Sequence, residues 1–251
     1  MKKQKIYGKY VNLYDLFTHE KNYKKEARFL IRMIKKFKKS RGNSLLDVGC
    51  GTGSHDLYLK KHFKITSFDK NRALVKIAKK KNPKIDYRVA DMKKFNFKRK
   101  FDIIISVYGV LHYNYTYKDL ERTLRNFSRH IEREGVLIFD FAIVKGGKGK
   151  FEQNKINYEK YSDKRLDAVF IGNNFDSNPK DTIMETNIIF LIRKNRGPLN
   201  VVVDKHLQGY FELSKIKKML SDLGFTFYLY DRDYSGRRYS KKGPVFVCIK
   251  K

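Results

Sequence analysis

The stretch Leu45-Leu46-Asp47-Val48-Gly49-Cys50-Gly51-Thr52-Gly53-Ser54 puts three glycines at alternate positions directly after an apolar run. Glycine lacks a Cβ and adopts left-handed backbone readily, so such a turn lets the main chain approach a bound nucleoside that side chains would exclude. Position 54 separates two kinds of ligand. A dinucleotide fingerprint, Gly-x-Gly-x-x-Gly, would need glycine there, and the residue is Ser54. Other groups able to do chemistry follow downstream: Asp69 with Lys70, Asp91 with Met92, Tyr108, His112 and His206. Plainer roles are open to several of them. Asp69 could cap a helix beginning near Asn71, Asp91 could cap a turn, Met92 could be core, and Cys50 reads as a small buried hydrophobe rather than a nucleophile.

The elements that must position these residues are legible from periodicity. Tyr23, Ala27, Leu30, Ile31, Ile34 and Phe37 recur at helical spacing, and Arg41-Gly42-Asn43 stops the pattern. Strands are predicted over 44–48, 65–69, 85–90, 101–108 and 135–141, alternating with helices over 56–62, 71–81 and 119–133. That alternation specifies an α/β fold with a doubly wound, mostly parallel sheet, whose ligands bind at the carboxyl ends of the strands. From Lys145 to Tyr210 no helix is expected, but strands are predicted over 165–171, 182–193 and 199–210. The last two flank Lys194-Asn195-Arg196-Gly197-Pro198, which suggests an antiparallel hairpin. A helix over 213–223 and strands over 225–230 and 245–250 close the chain. The expected division is therefore a core of residues 1–144 and 211–251 with an inserted antiparallel lid over 145–210.

Asp47 followed by Gly49-Cys50-Gly51-Thr52-Gly53 resembles motif I of the class I S-adenosylmethionine-dependent methyltransferases. Three further elements fall in that family's order. Ser67-Phe68-Asp69 ends in the acid that the resemblance assigns to both ribose hydroxyls, for which a carboxylate suits because it accepts two hydrogen bonds at once. Ala90-Asp91-Met92 resembles the segment that meets the adenine. Ser106-Val107-Tyr108-Gly109-Val110-Leu111-His112 resembles the loop beneath the methionine end. The resemblance implies a Rossmann-like seven-stranded sheet and a cofactor site of Asp47, Gly49, Cys50, Gly51, Gly53, Asp69, Lys70, Asp91, Met92 and Tyr108. It covers roughly residues 10–144 and 206–251. Tyr10 to Phe17 is similar to the Tyr-Asp segment that closes over the cofactor in small-molecule members, which makes Tyr14 a candidate beside the sulfonium. A cation there calls for aromatic or acidic surroundings rather than lysine. The insert is similar to the lid sheet of nucleotide-linked amino-sugar N-methyltransferases and glycine N-methyltransferase-like proteins, and Lys205-His206-Leu207 through Tyr210-Phe211 matches their approach to the last strands.

Methyl transfer to an N or O atom releases a proton, and a histidine could accept it. His112 and His206 would face the pocket mouth and, with Tyr14, are the catalytic candidates; His19, His55, His62 and His130 fall in charged or helical contexts. Composition narrows the acceptor. The 251 residues hold 57 Lys+Arg against 26 Asp+Glu, a net charge of +31, spread along the chain and dominated by lysine. Such an excess reads first as a lysine-rich solvated surface and second as a field that attracts anions; the expected partner is a small-molecule acceptor of anionic character. An RNA methyltransferase acting on tRNA or rRNA is the alternative, but nucleic-acid readers favour arginine, no Asn/Asp-Pro-Pro-Tyr/Phe motif follows the fourth strand, and no Pro-Cys pair serves pyrimidine chemistry. Two cysteines, Cys50 and Cys248, make no disulfide framework or metal pair. No apolar signal region or membrane-spanning run is present, so a cytoplasmic protein is expected. Oligomeric state is left open.

Overall fold

A computed structural model describes residues 4–141, 157–176, 183–240 and 243–251. The amphipathic stripe read from the sequence folds as helix α2 (Tyr23–Phe37), after a short helix α1 (Tyr14–Phe17). Asn22 caps α2 by accepting from the Lys25 amide, and Ala27, Phe29, Leu30, Met33 and Ile34 turn inward. Strand β1 (Ser44–Val48), helix α3 (Asp56–Leu59), strand β2 (Lys64–Asp69), helix α4 (Arg72–Lys81) and strand β3 (Asp86–Val89) then alternate. Strand β4 (Phe101–Ser106), helix α5 (Tyr117–His130) and strand β5 (Ile131–Asp140) follow. After the insert come helix α6 (Leu213–Asp222) and strands β10 (Phe225–Asp231) and β11 (Pro244–Lys250).

Seven strands form one sheet in the order β10-β11-β5-β4-β1-β2-β3. The β1–β2, β1–β4, β2–β3 and β4–β5 pairs are parallel, and β11 runs antiparallel to both β5 and β10. The strand order reverses between β1 and β4, and a ligand crevice opens at such a switch point. The expected fold class is thus the observed one. Two boundaries moved for physical reasons. The helix predicted to reach residue 133 ends at His130, because Ile131 pairs with Phe101 and starts β5 early. The strand predicted to reach residue 108 ends at Ser106, because Tyr108 and Gly109 both take left-handed backbone, with φ of 70° and 72°.

The insert is a separate antiparallel sheet in the order β6-β7-β8-β9, made of β6 (Asn157–Ser162), β7 (Leu166–Asp176), β8 (Ile183–Lys194) and β9 (Leu199–Gly209). Residues 145–156, assigned above to the start of this unit, lie outside the described residues, as does Thr182. Strand β6 is an addition to the sequence reading; its polar run carries weak alternation. The expected hairpin joins β8 to β9, and Asn195 and Arg196 supply the two successive left-handed residues that a tight hairpin needs. The sheet does not stand alone. Ile6 and Leu13 from the N-terminal segment share its core with Ala168, Phe170, Phe190, Ile192 and Val202, and Phe17 stacks on Phe190. Among the described residues no helix is long and apolar enough to cross a membrane.

Where β9 ends, it abuts the short 3-10 turn Val110–Tyr113 that follows β4: His112 Nδ1 lies 2.7 Å from the Gly209 carbonyl. A Cβ added at Gly209 would fall inside van der Waals contact of the Asn114 carbonyl oxygen. Gly209→Ala should therefore push the two sheets apart and cost about 1–3 kcal/mol, as overpacking does, read as a lower urea midpoint with unchanged slope.

Candidate functional site

One cavity of about 930 Å³ lies over the carboxyl ends of the parallel strands and under the inserted sheet. The sequence-predicted residues Gly49, Cys50, Gly51, Asp69, Lys70, Asp91, Met92, Tyr108, His112, Tyr14 and His206 all line it. Asp47 and Gly53 do not. Gly53 faces away, where a Cβ would collide with Tyr87. Asp47 is buried behind the turn near Asp56; burial first, then the neighbouring acid, pushes its carboxyl up. Both are supports of the turn rather than walls of the cavity.

The glycine turn is shaped by its ends. The Gly49 and Cys50 amides bond back to the Phe68 carbonyl at 2.8 and 3.0 Å, and Gly51 carries a φ of 56°. A Cβ at Gly51 would meet only the Tyr14 ring, at 3.9 Å, so this glycine leaves open floor in the cavity. Asp69 stands beside that floor. One carboxylate oxygen accepts from the Gly51 amide at 3.0 Å and the other from the Asn71 amide at 2.7 Å. Asp69 is thus partly the cap that the plainer reading described, held by the backbone of Gly51, Lys70 and Asn71, yet its two oxygens offer about four acceptor sites, which leaves room for a ligand. Burial raises its carboxyl, against those backbone donors. Asp91 accepts from the Lys93 amide at 2.9 Å and pairs with Lys70 at 3.0 Å. Its burial alone would raise the carboxyl, but these partners hold it below the usual range. Lys70 is thus an exposed partner of Asp91.

An N-terminal segment closes the cavity and is fixed at three places. Asp15 pairs with Lys81 at 2.8 Å, and Lys81 also reaches Ser54 at 3.0 Å, which gives the residue that broke the dinucleotide pattern a role in the clamp. The Tyr7 carbonyl accepts from the Asn71 side chain at 2.6 Å. The Lys5 and Ile6 amides donate to Asp204 on β9 at 2.8 and 2.7 Å. Through this segment and the turn after β4, Tyr7, Tyr14, Tyr108 and Tyr113 line the cavity. Burial pushes the Tyr7 and Tyr14 hydroxyls well up, so both are neutral phenols. This wall is aromatic, and behind it Lys21 places its ammonium 3.4 Å from the Tyr108 ring centre. Burial lowers Lys21, and Glu26, 2.9 Å away, keeps it paired.

Asp140 ends β5 and governs the other side. Its oxygens accept from the Tyr108 and Gly109 amides at 3.0 and 2.7 Å, from Arg232 Nε at 3.1 Å and from the Tyr234 hydroxyl at 2.7 Å. Burial alone would raise this carboxyl, but Arg232, the Gly109 amide and Tyr234 hold it at about 2. His112 is buried between Tyr210 and Phe141. Burial lowers it to about 4, and because the Gly209 carbonyl can only accept, Nδ1 carries the proton of the neutral ring. His206 sits on β9 beside Asp204, 3.2 Å away. Tyr7, His55, Tyr113 and Arg232 also line the cavity without having been singled out as site residues in the sequence, and Lys21 lies behind its wall against Tyr108. Tyr7 precedes Tyr14 by two helical turns and Tyr113 adjoins His112, so a signal existed for these. Arg232 lies in the β10–β11 connection with no motif around it, and His55, dismissed as helical context, pairs with Glu26 at 2.7 Å. Among the described residues no cluster of three His, Cys, Asp or Glu could hold a metal.

Residues 45–135 match the family model described as a methyltransferase domain. A curated relative, dTDP-3-amino-3,4,6-trideoxy-alpha-D-glucopyranose N,N-dimethyltransferase from Streptomyces venezuelae, is 29% identical over 134 residues, 52% of this chain and 56% of that protein. The match thus spans about half the length of that relative. Among solved structures, Streptomyces venezuelae DesVI superposes with a TM-score of 0.83 at 20% identity, covering 96% of this chain and 98% of that one. The sugar N-methyltransferase KedS8 from Streptoalloteichus superposes at 0.82 with 22% identity, covering 95% and 92%. At these identities the superpositions establish the fold.

Asp140 supplies the prediction from this geometry. Asp140→Asn would leave the half-buried Arg232 guanidinium without its carboxylate and weaken two amide contacts around the fully buried site, at a cost of about 3–5 kcal/mol in chemical denaturation near neutral pH. The pH dependence has a fixed sign. A carboxyl depressed to about 2 contributes stability that is fully present above the unfolded value near 4 and lost as pH falls through about 2. The asparagine variant should lack that acid-side loss.

Proposed function

From a methyltransferase domain set in the class I S-adenosylmethionine-dependent fold, we propose that this chain transfers a methyl group from S-adenosylmethionine to an amine nitrogen of a small, anionic acceptor of the sugar-nucleotide class. The observation that carries the reading is that a single cavity is bounded both by the glycine turn with Asp69 and Asp91 and by the inserted sheet, through Phe170, Thr186, Ile188, Phe190 and His206. Cofactor and acceptor can share one enclosure. Support for the cofactor comes from the open floor at Gly51, the spare acceptor capacity of Asp69 and the neutral tyrosine wall, which together suit a nucleoside carrying a cation.

In this reading the cofactor supplies an electrophilic methyl on a sulfonium. Asp69 holds the ribose hydroxyls, Asp91 and Met92 take the adenine, Gly49, Cys50 and Gly51 receive the amino-acid end, and Lys70 steadies Asp91. Tyr14 and Tyr108 flank the reacting centre and keep water out, so that the acceptor nitrogen approaches in line. His112, neutral and held by the Gly209 carbonyl, orients the acceptor. The acceptor's anionic part is assigned to Arg232, which lines the same cavity; its Nε donates to Asp140, and among the described residues its two terminal amino groups make no hydrogen bond and are assigned to phosphate oxygens. Relatives whose names specify amino-sugar nucleotides support the N-methyl, small-molecule form of the reading.

Labelled methyl from S-adenosylmethionine, supplied with the protein to a cell extract fractionated by size, should enter the small-molecule fraction and persist after nuclease treatment. Label confined to nuclease-sensitive material of high molecular weight would replace this reading with RNA methylation, which the charge of +31 would then explain.

A further inference from the structure

Four side chains from three parts of the chain form one hydrogen-bonded line along the cavity wall. Tyr7 Oη lies 2.8 Å from Tyr113 Oη, Tyr113 Oη lies 3.2 Å from His206 Nδ1, and His206 Nε2 lies 3.2 Å from Asp204 Oδ2. Tyr7 comes from the N-terminal segment, Tyr113 from the turn after β4, and His206 and Asp204 from β9. Both members of the β9 pair are buried, with side chains 5% and 3% exposed. The direction of the line follows from its last member. Asp204 is held as a carboxylate: burial would raise it, but His206 and the Ile6 and Lys5 amides keep it low. A carboxylate only accepts, so His206 carries its proton on Nε2 and presents a lone pair at Nδ1. Tyr113 must then donate to Nδ1, and Tyr7 must donate to Tyr113. The line ends with an acceptor lone pair on Tyr7 Oη, at the wall of the cavity.

We propose that Tyr7, Tyr113 and His206 form a one-way relay that removes the proton released by methyl transfer, with Asp204 as its positioning residue. The proposal rests on the amine-methylation reading above. In the step, the N–H bond of the acceptor breaks and its electron pair stays on nitrogen. The proton joins Tyr7 Oη, the Tyr7 hydroxyl proton passes to Tyr113 Oη, and the Tyr113 hydroxyl proton passes to His206 Nδ1. Both phenols end neutral, and the new imidazolium is paired with Asp204 until its proton is lost to solvent on product release. No phenolate forms, which matters because burial disfavours ionisation of both tyrosines. Asp204 also accepts the Lys5 and Ile6 amides, so the residue that sets the direction of the relay is the one that docks Tyr7. The relay is complete only when the N-terminal segment is down.

Among the described residues, the groups set against His206 come from its own strand and three other segments. Asp204 lies on its own strand, Tyr7 meets its ring edge-on at 5.5 Å, Tyr113 comes from the turn, and β8 presents Thr186 across the ladder. Asp69 acts on both tyrosines from a greater distance. Nitrogen NMR of the free protein should show His206 as the Nε2–H tautomer with a hydrogen-bonded lone pair at Nδ1. Tyr113→Phe should keep that tautomer but shift Nδ1 to the position of an unbonded lone pair. With a dTDP-linked amino sugar as the probe acceptor, Tyr7→Phe and Tyr113→Phe should each lower kcat by about 10²-fold while S-adenosylhomocysteine affinity stays within about twofold. Because the groups act in series, the double variant should be no slower than either single one. An Nδ1–H tautomer, a Tyr113→Phe kcat within about twofold of the parent, or single effects that multiply would each overturn the relay. If the parent protein leaves the probe unmethylated, the acceptor reading fails; the tautomer measurement, made without acceptor, still judges the relay.

Discussion

The buried carboxylate of Asp140 is the interaction on which the rest of the site depends. It stands at the end of β5, and its two oxygens serve four donors drawn from the turn after β4 and the connection between β10 and β11. Tyr108 is held in left-handed backbone, which a tyrosine does not adopt without support. The amide contacts to Asp140 provide that support. Because Tyr108 and Gly109 are fixed, the following 3-10 turn sets His112 against Gly209 and Tyr113 against His206, and so fixes where the inserted sheet meets the core. A charge buried this deeply is costly unless fully satisfied, and here the hydrogen bonds and Arg232 satisfy it.

The same economy appears across the cavity. Asp69 and Asp140 end strands, Asp204 lies within β9, and each accepts from backbone amides of another segment. Each therefore fixes a loop and presents a charge or lone pair in one act. The N-terminal segment depends on this arrangement, since it docks by amides onto Asp204 and by Asp15 onto Lys81 rather than by a long helix of its own. Its apolar side chains complete the core of the inserted sheet, so docking this segment and ordering that sheet are linked.

Much of this was legible in the sequence, and the reasons are specific. The glycine turn, Asp69 and Asp91 sit at strand ends, where periodicity fixes positions to within a residue or two, and the parallel core follows from the alternation of helices and strands. His112 and His206 could be placed at the cavity because each lies near such an end, and Tyr14 because Tyr10 to Phe17 resembles a segment that closes over the cofactor. Asp47 and Gly53 were placed with the ligand by resemblance, whereas the fold uses them to support the turn, as a buried acid partner of Asp56 and as the neighbour of Tyr87. Arg232 and Lys21 could not be assigned from local pattern, because both lie in connections without regular structure and their roles arise from contacts with distant segments. The boundary at Ile131 failed for a related reason: pairing with Phe101 overrode a continuous helical pattern.

At the centre of the account is the claim that the cavity floor at Gly51 and Asp69 receives the nucleoside of S-adenosylmethionine. Calorimetric titration of S-adenosylhomocysteine into the parent protein and Asp69→Ala tests it most directly. The account predicts one molecule bound per chain and a loss of roughly 2–4 kcal/mol in the variant, the value of two charge-assisted hydrogen bonds. Absence of binding with tight binding of NAD instead, or a loss of only a few tenths of a kcal/mol, would contradict it.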